Sequence, residues 1–197
     1  MSGHKADGIQ LIAGLGNPGP DYTATRHNAG AWFIEALCQQ YRLTFHTETR
    51  FNARLSQWSY AGKDYKLLIP NTYMNHSGQS IGSFAKYFQL PAHSILIAHD
   101  ELDLAPGDYR FKTGGGHAGH NGLRDVMHHL QSRDFHRIRL GIGHPGHKDQ
   151  VSDYVLSKPS RTEEQQIRKA IQEAIRLLPE FIEKTFQSHS TVNSKGI

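Results

Sequence analysis

The chain has a single cysteine among its 197 residues and no long apolar run. One cysteine excludes an intramolecular disulfide and favours a reducing compartment. Its place in a helical pattern predicts that Cys38 is a small buried side chain rather than a nucleophile. No apolar stretch approaches the ~20 residues that cross a bilayer, and residues 1–7 lack the apolar core of a signal peptide. We therefore expect a cytoplasmic protein that contacts no membrane.

A strong excess of charge is also absent, because 22 Lys and Arg residues stand against 18 Asp and Glu residues, for a net charge of +4. This balance favours a polyanionic partner only weakly. The positions of the basic residues are more informative, since many flank the glycine-rich segment 113–122, although a solvated basic face remains a competing interpretation. These residues are Arg110, Lys112, Arg124, Arg133, Arg137, Arg139 and Lys148.

The periodicity of apolar residues predicts strands that alternate with helices. We expect an antiparallel hairpin from residues 53–60 and 65–69, and other strands at residues 9–15, 94–98, 109–112 and 138–142. In the last strand Arg137 and Arg139 alternate with apolar residues, which predicts an exposed face for both arginines. A capping box at residues 162–165 opens a long helix, which Pro179 is expected to kink or break.

These elements predict an α/β fold in one domain over residues 9–187. Its mixed, mostly parallel twisted sheet is expected to be covered on both faces by helices. Residues 1–8 are expected to form a flexible N-terminal extension, and residues 188–197 a disordered C-terminal tail.

Four polar loops that follow strands or precede helices carry amides, histidines or carboxylates. They are residues 17–28, 71–75, 99–103 and 117–121. Each loop alone has a simpler interpretation, since Asn28 or His120 can be a helix cap and Asp100 a turn residue. In α/β proteins, however, ligands bind at the carboxyl ends of the strands. Four such loops in one small domain therefore favour a shared site.

These loops hold the groups needed for hydrolysis by an activated water. A histidine such as His27 can accept the proton of a water near neutral pH, and a carboxylate on its other ring nitrogen would hold the tautomer. Asparagine amides can position the water and donate to an oxyanion. The pattern Gly-x-Ser-x-Gly occurs at residues 78–82, but at the start of a predicted helix rather than in the strand-to-helix turn of a nucleophile elbow, and Cys38 lies outside the four loops. Direct attack by water is therefore favoured over a covalent intermediate.

Two other interpretations of the same segments remain open. Gly14-x-Gly16-x-x-Gly19 and the similar pattern at 114–119 match a dinucleotide-binding fingerprint, although prolines interrupt the first and no long strand precedes the second. His117-x-x-His120 and His99-Asp100 can supply metal ligands, but the chain lacks the His-Glu-x-x-His pattern, and Gly119 argues against a rigid helical pair. We therefore expect neither a cofactor nor a metal. A non-catalytic RNA-binding module is a further alternative.

Taken together, the motifs resemble those of the bacterial-type peptidyl-tRNA hydrolases, in order, from about residue 9 to 185. The resemblance rests on GLGNPG at 14–19, Tyr22, TRHNAG at 25–30, PNTYMNHSG at 70–78, DELD at 100–103, the glycine-rich segment 114–122 and GIGHPG at 141–146.

The resemblance implies cleavage of the ester between a peptide and the terminal ribose of tRNA, which recycles tRNA from aborted translation. It implies a three-layer α/β/α fold, a monomer and no required metal. His27 would be the base and Asp100 its orienting partner. Asn17, Asn75 and Asn121 would bind the peptide end, and Tyr22, Tyr73, Met74 and His120 would line the cleft. Lys112, Arg139 and Lys148 would contact tRNA phosphate, in a patch that we expect to be separate from the chemical site.

Overall fold

The computed structural model describes residues 8–193, with side chains described as far as Phe186. The predicted N-terminal extension therefore lies outside the described residues except for Gly8. In the part of the chain that is described, no helix is long and apolar enough to cross a membrane.

The described residues form a seven-stranded sheet in the order β2-β3-β4-β1-β5-β7-β6. The strands are β1 (Leu11–Gly14), β2 (His46–Glu48), β3 (Ala53–Tyr60), β4 (Lys63–Pro70), β5 (Ile95–Glu101), β6 (Tyr109–Thr113) and β7 (His136–Gly141). The central strands β4, β1, β5 and β7 pair in parallel, while β2, β3 and β6 pair antiparallel with their neighbours. The loops after β1, β4, β5 and β7 consequently leave the sheet at one edge.

Helices cover both faces of the sheet. They are α1 (Ala29–Gln40), α2 (Ser77–Tyr87), α3 (Asn121–Leu130), α4 (Val151–Val155) and α5 (Arg161–Asn193). One apolar cluster joins the sheet to α1 and α5, and a second joins its other face to α2 and α3. The predicted α/β fold and its three layers are thus confirmed.

The predicted hairpin is present as β3 and β4, in register from Ala53 opposite Pro70 to Tyr60 opposite Lys63. Its two loop residues, Ala61 and Gly62, both have positive φ, at 49° and 74°. A loop of this kind matches the twist of the flanking strands and therefore fixes the register.

Of the kink or break predicted at Pro179, the break does not occur, since α5 continues through the proline to Asn193. The reason is tertiary packing, because Ala174, Leu178 and Ile182 on either side of the proline are buried against the sheet. The helix also runs into the segment 188–197, which was expected to be disordered. Extending an existing helix requires no new nucleation, and no glycine or proline intervenes before Gly196. Residues 194–197 lie outside the described residues.

The start of α1 is pressed directly against the sheet. A Cβ placed on Gly30 would lie 2.2 Å from the carbonyl oxygen of Ala98, and one on Gly14 would lie 2.2 Å from the carbonyl oxygen of Gly30. No side chain fits at such distances. This contact brings the turn Arg26–Asn28, which precedes α1, to the end of β5.

Candidate active site

His27 and Asp100 meet at the edge where β1 and β5 end. The Nδ1 atom of His27 lies 2.9 and 3.0 Å from the two carboxylate oxygens of Asp100. Both side chains are buried, with 10% of the His27 side chain and 2% of that of Asp100 exposed. The donor to the carboxylate is therefore Nδ1–H, which leaves Nε2 of His27 as the basic nitrogen.

Burial and charge act in opposite directions on this pair. Burial lowers the pKa of His27, but the carboxylate of Asp100 outweighs it, so that the pKa is raised above 6.5. Burial would likewise raise the pKa of Asp100, but the imidazoles of His27 and His120 hold it well below its usual range. Asp100 consequently stays ionised throughout the pH range in which His27 titrates.

His120 is a second partner of the same carboxylate. Its Nε2 lies 2.9 Å from Oδ1 of Asp100, while its Nδ1 accepts the backbone N–H of Leu123 at 3.3 Å. It therefore caps α3 and lines the cleft at the same time. Because Nδ1 is the acceptor, the proton sits on Nε2 and is donated to Asp100. Asp100 thus receives two imidazole N–H groups.

Asn17 is held by backbone and side-chain bonds together. Its Oδ1 accepts the backbone N–H of Met74 at 2.7 Å. The side chain of Asn28 bonds both its N–H and its carbonyl, each at 2.9 Å. Asn28 makes no capping bond to α1, so its interpretation as a simple cap is wrong. With Oδ1 occupied, Nδ2 is the group that Asn17 can offer to a ligand.

These residues lie in a cleft of about 1050 Å³. The rings of Tyr22 and Tyr73 meet edge to face, 6.1 Å apart, and 58% of Tyr73 is exposed. Asn121 is exposed, and its Oδ1 accepts from Arg124 at 2.8 Å. Every residue of the predicted site lines this cleft: Asn17, Tyr22, His27, Tyr73, Met74, Asn75, Asp100, Lys112, His120, Asn121, Arg139 and Lys148.

The three cations therefore share one cavity with His27. β6, β7 and the loop after β7, which carry these cations, form walls of the same cleft, and their role as a phosphate-binding patch separate from the chemical site stays a prediction. Lys112 and Lys148 are exposed, whereas Arg139 donates from Nε to the carboxylate of Glu101 at 2.7 Å. The charge that Arg139 presents to a ligand is partly neutralised by this ion pair.

Arg137 does not lie on an exposed face, contrary to the alternation in its strand. It is only 3% exposed, and its guanidinium donates to the carbonyls of Gly115 and Gly116. The glycine-rich loop folds back over β7 and covers it. Burial lowers the pKa of Arg137. Its structural task is to tie this loop to the sheet.

Comparisons with known proteins agree with this geometry. The family described as Peptidyl-tRNA hydrolase matches residues 11–196. A peptidyl-tRNA hydrolase of Coxiella burnetii (strain CbuG_Q212) is 51% identical over 180 residues, which make up 91% of this chain and 94% of the relative. One of Pseudomonas paraeruginosa is 51% identical over 175 residues, or 88% and 90% of the two chains. The chain belongs to the peptidyl-tRNA hydrolase family.

Solved structures of the peptidyl-tRNA hydrolase family have the same fold. A crystal structure of peptidyl-tRNA hydrolase from Acinetobacter baumannii has a TM-score of 0.85 with this chain at 45% identity. The likeness covers 93% of this chain and 97% of that one.

Membership of the peptidyl-tRNA hydrolase family disfavours the dinucleotide interpretation, and the structure explains the glycines differently. Gly14 is needed where α1 meets β1 rather than for a phosphate. Gly19 has positive φ in the loop that carries Asn17.

Two of the four candidate metal ligands, Asp100 and His120, meet at the site together with His27. Among the described residues, the ligand atoms of His27, Asp100 and His120 lie within 4.8 Å of one another. His117 is not in this group, and its Nδ1 accepts the N–H of Gly119 at 3.1 Å. Two imidazole N–H groups on one carboxylate also suit proton transfer, so metal-free catalysis stays a prediction.

Proposed function

We propose that this protein hydrolyses the ester of peptidyl-tRNA by direct attack of a water molecule that His27 activates. The observation that carries the proposal is the contact between His27 Nδ1 and Asp100, at 2.9 Å, inside the cleft. It places the proton of the neutral imidazole on Nδ1 and leaves Nε2 to accept a proton from the water. Membership of the family supports the reaction, and the contact between His27 and Asp100 supports the mechanism.

In the first step Nε2 of His27 removes a proton from the water while the water oxygen bonds to the ester carbonyl carbon. The carbonyl oxygen becomes an oxyanion, to which amide N–H groups such as Nδ2 of Asn17 can donate. The intermediate then collapses, and the carbon–oxygen bond to the ribose breaks. The imidazolium of His27 returns its proton to the ribose oxygen. The products are tRNA with a free hydroxyl and the peptide carboxylic acid, which ionises to the carboxylate by releasing its proton to solvent.

Asp100 orients His27 and stabilises the imidazolium that forms between the two steps. His120 donates a second N–H to the same carboxylate, which lowers the basicity of Asp100 and keeps it from taking the proton. Asn75 and Asn121 are the further amides that we assign to the peptide end and the water. Tyr22, Tyr73 and Met74 form the walls around them.

Lys112, Arg139 and Lys148 are assigned to tRNA phosphates. They lie in the same cleft, and a cation beside a phosphate gains affinity from counterion release without reading the sequence of bases. The cleft is complete within one chain, which supports a monomer. Action on tRNA in translation supports the cytoplasm as the compartment.

The assignment of His27 is tested by His27→Ala, assayed by release of an N-acetylaminoacyl group from tRNA. Turnover should fall by at least ~100-fold, the usual contribution of a general base. The matched control is His46→Ala, which removes an exposed histidine from β2 and should be neutral. A folded His27→Ala protein with near-normal turnover would show that another group is the base.

A further inference from the structure

Arg26 precedes the proposed base and takes no part in the chemistry described above. It is 6% exposed, and both terminal nitrogens of its guanidinium are bonded within the protein. Nη1 donates to Ser157 Oγ at 2.6 Å and to the carbonyl of Lys158 at 3.0 Å, and Nη2 pairs with Glu163 at 2.9 Å. The group also lies over the ring of Tyr154, 4.1 Å from its centroid.

The backbone of Arg26 makes the same connection. Its N–H donates to the carbonyl of Ser157 at 3.1 Å. Arg26 therefore binds the segment 154–158 with side chain and main chain together. The acceptors on Ser157 and Lys158 lie two and three residues beyond Val155, the last residue of α4, and Nη1 also lies 3.5 Å from the carbonyl of Tyr154 within the helix. Arg26 therefore anchors the segment that follows α4 to the loop that carries His27.

The helix α4, whose following segment Arg26 anchors, forms a wall of the cleft. Lys148, at the start of the turn before α4, and Val151, Val155 and Leu156 all line the cavity. A helix of five residues is too short to be stable by itself. Its position depends on anchors such as Arg26 and the bond from Tyr154 Oη to the carbonyl of Ile142, at 2.6 Å.

We propose that Arg26 is a positioning residue. It holds the wall of the cleft formed by residues 148–156, which carries Lys148, at a fixed position relative to His27. A tRNA whose phosphate rests on Lys148 then presents its ester at the correct distance from Nε2. The inference rests on the proposed function, since it assigns Lys148 to tRNA. A substrate too short to reach Lys148 does not require this fixed position.

The test replaces Arg26 by Lys, which keeps the charge and loses the planar fork of donors. With N-acetylaminoacyl-tRNA, Arg26→Lys should raise KM about tenfold. With an N-acetylaminoacyl-adenosine, which has no tRNA phosphates, kcat/KM should change less than about threefold. The matched control is Arg168→Lys, which alters an exposed Arg–Glu pair on α5 and should leave both substrates unaffected.

A double-mutant cycle with Lys148→Met separates positioning from a general structural effect. If Arg26 acts by positioning Lys148, Lys148→Met should weaken tRNA binding several-fold in the wild-type protein but less than about twofold in the Arg26→Lys protein. If the fold-changes of the two single variants simply multiply in the double variant, the two residues act independently and the proposal is overturned. An equal loss with both substrates would also overturn it, because it would place the effect at His27 itself.

Two further measurements distinguish a failure of the proposal from a folding defect or from a lack of hydrolysis. Ser157→Ala removes one acceptor of Arg26 and should raise KM by a smaller factor than Arg26→Lys. This variant keeps the proposal testable if the Arg26→Lys protein folds poorly. The cycle is also measured as Kd for deacylated tRNA, which requires no hydrolysis. Absence of hydrolysis by the wild type would overturn the proposed function alone, whereas additive Kd effects would overturn the role of Arg26 alone.

Discussion

The two ends of the cleft are constructed in opposite ways. At the chemical end, Asn17, His27 and Asp100 are each buried to more than nine-tenths and fixed by bonds to other elements. At the cationic end, Lys112 and Lys148 are exposed, and Arg139 has one ion pair with Glu101.

This difference matches the two tasks. Bond breaking is accelerated by groups that are already in place, because they need no reorganisation as charge develops. Holding a phosphate requires charge nearby but tolerates mobile side chains. We therefore expect substitutions at the buried end to lower kcat, and substitutions at the exposed end to raise KM.

The largest effect is expected from Asp100→Asn. An asparagine turns an NH2 group towards one of the two imidazoles, so that the tautomer of His27 is no longer held. We expect kcat to fall on the order of 10³-fold, with KM nearly unchanged. The control is Asp108→Asn, at an exposed turn. If kcat of the Asp100→Asn protein is within a few-fold of the wild-type value, Asp100 does not orient His27 for catalysis.

The pH profile sharpens the same point. Only unprotonated His27 can act as the base, so kcat/KM should fall as pH drops through its pKa, about tenfold for each pH unit below it. Because Asp100 raises the pKa of His27 above 6.5, the midpoint of this acid limb should lie above that value. In Asp100→Asn the limb should move to lower pH. A limb that does not move would mean that a different group titrates.

Lys148→Met tests the exposed end. We expect KM for N-acetylaminoacyl-tRNA to rise by about tenfold, or ~1.4 kcal/mol, with kcat nearly unchanged. The slope of log KM against log salt should decrease by roughly 0.7–0.9 for the lost contact. The same comparison for Arg139→Met should be made together with Glu101→Gln, since Arg139→Met alone leaves a buried carboxylate unpaired. If the salt dependence is unchanged in these variants, the cations do not contact tRNA phosphates and belong to a solvated basic face.

The smallest effect is expected from a chelator. Dialysis against a strong chelator should leave activity intact, because the N–H groups of His27 and His120 are already directed to Asp100. Loss of activity that zinc restores would show that the cluster of two histidines and an aspartate holds a metal.

Sequence reasoning located the chemical end because strand ends obey a general rule. His27 lies in the connection after β1, Asp100 is the penultimate residue of β5, and the carboxyl ends of parallel strands meet at one edge. Their closeness was therefore predictable, although their roles stay predictions.

The arginines that fix the loops were not predictable in this way. Arg26 binds carbonyls more than a hundred positions along the chain, and Arg137 binds the carbonyls of two glycines. A backbone carbonyl has no signature in the sequence, and an arginine that alternates with apolar residues looks the same whether a loop covers it or not. Such residues are recognised only once the path of the chain is known.

The contact between Gly30 and the carbonyl of Ala98 has a consequence for protein engineering. A glycine inside a helix costs about 1 kcal/mol relative to alanine, so Gly30 in α1 is an obvious target for a stabilising substitution. A methyl group there would lie 2.2 Å from the Ala98 oxygen, and α1 would have to lift from β5 to admit it. Attempts to make this enzyme more thermostable should therefore avoid Gly30, because a gain in helix propensity would be offset by displacing His27 from Asp100.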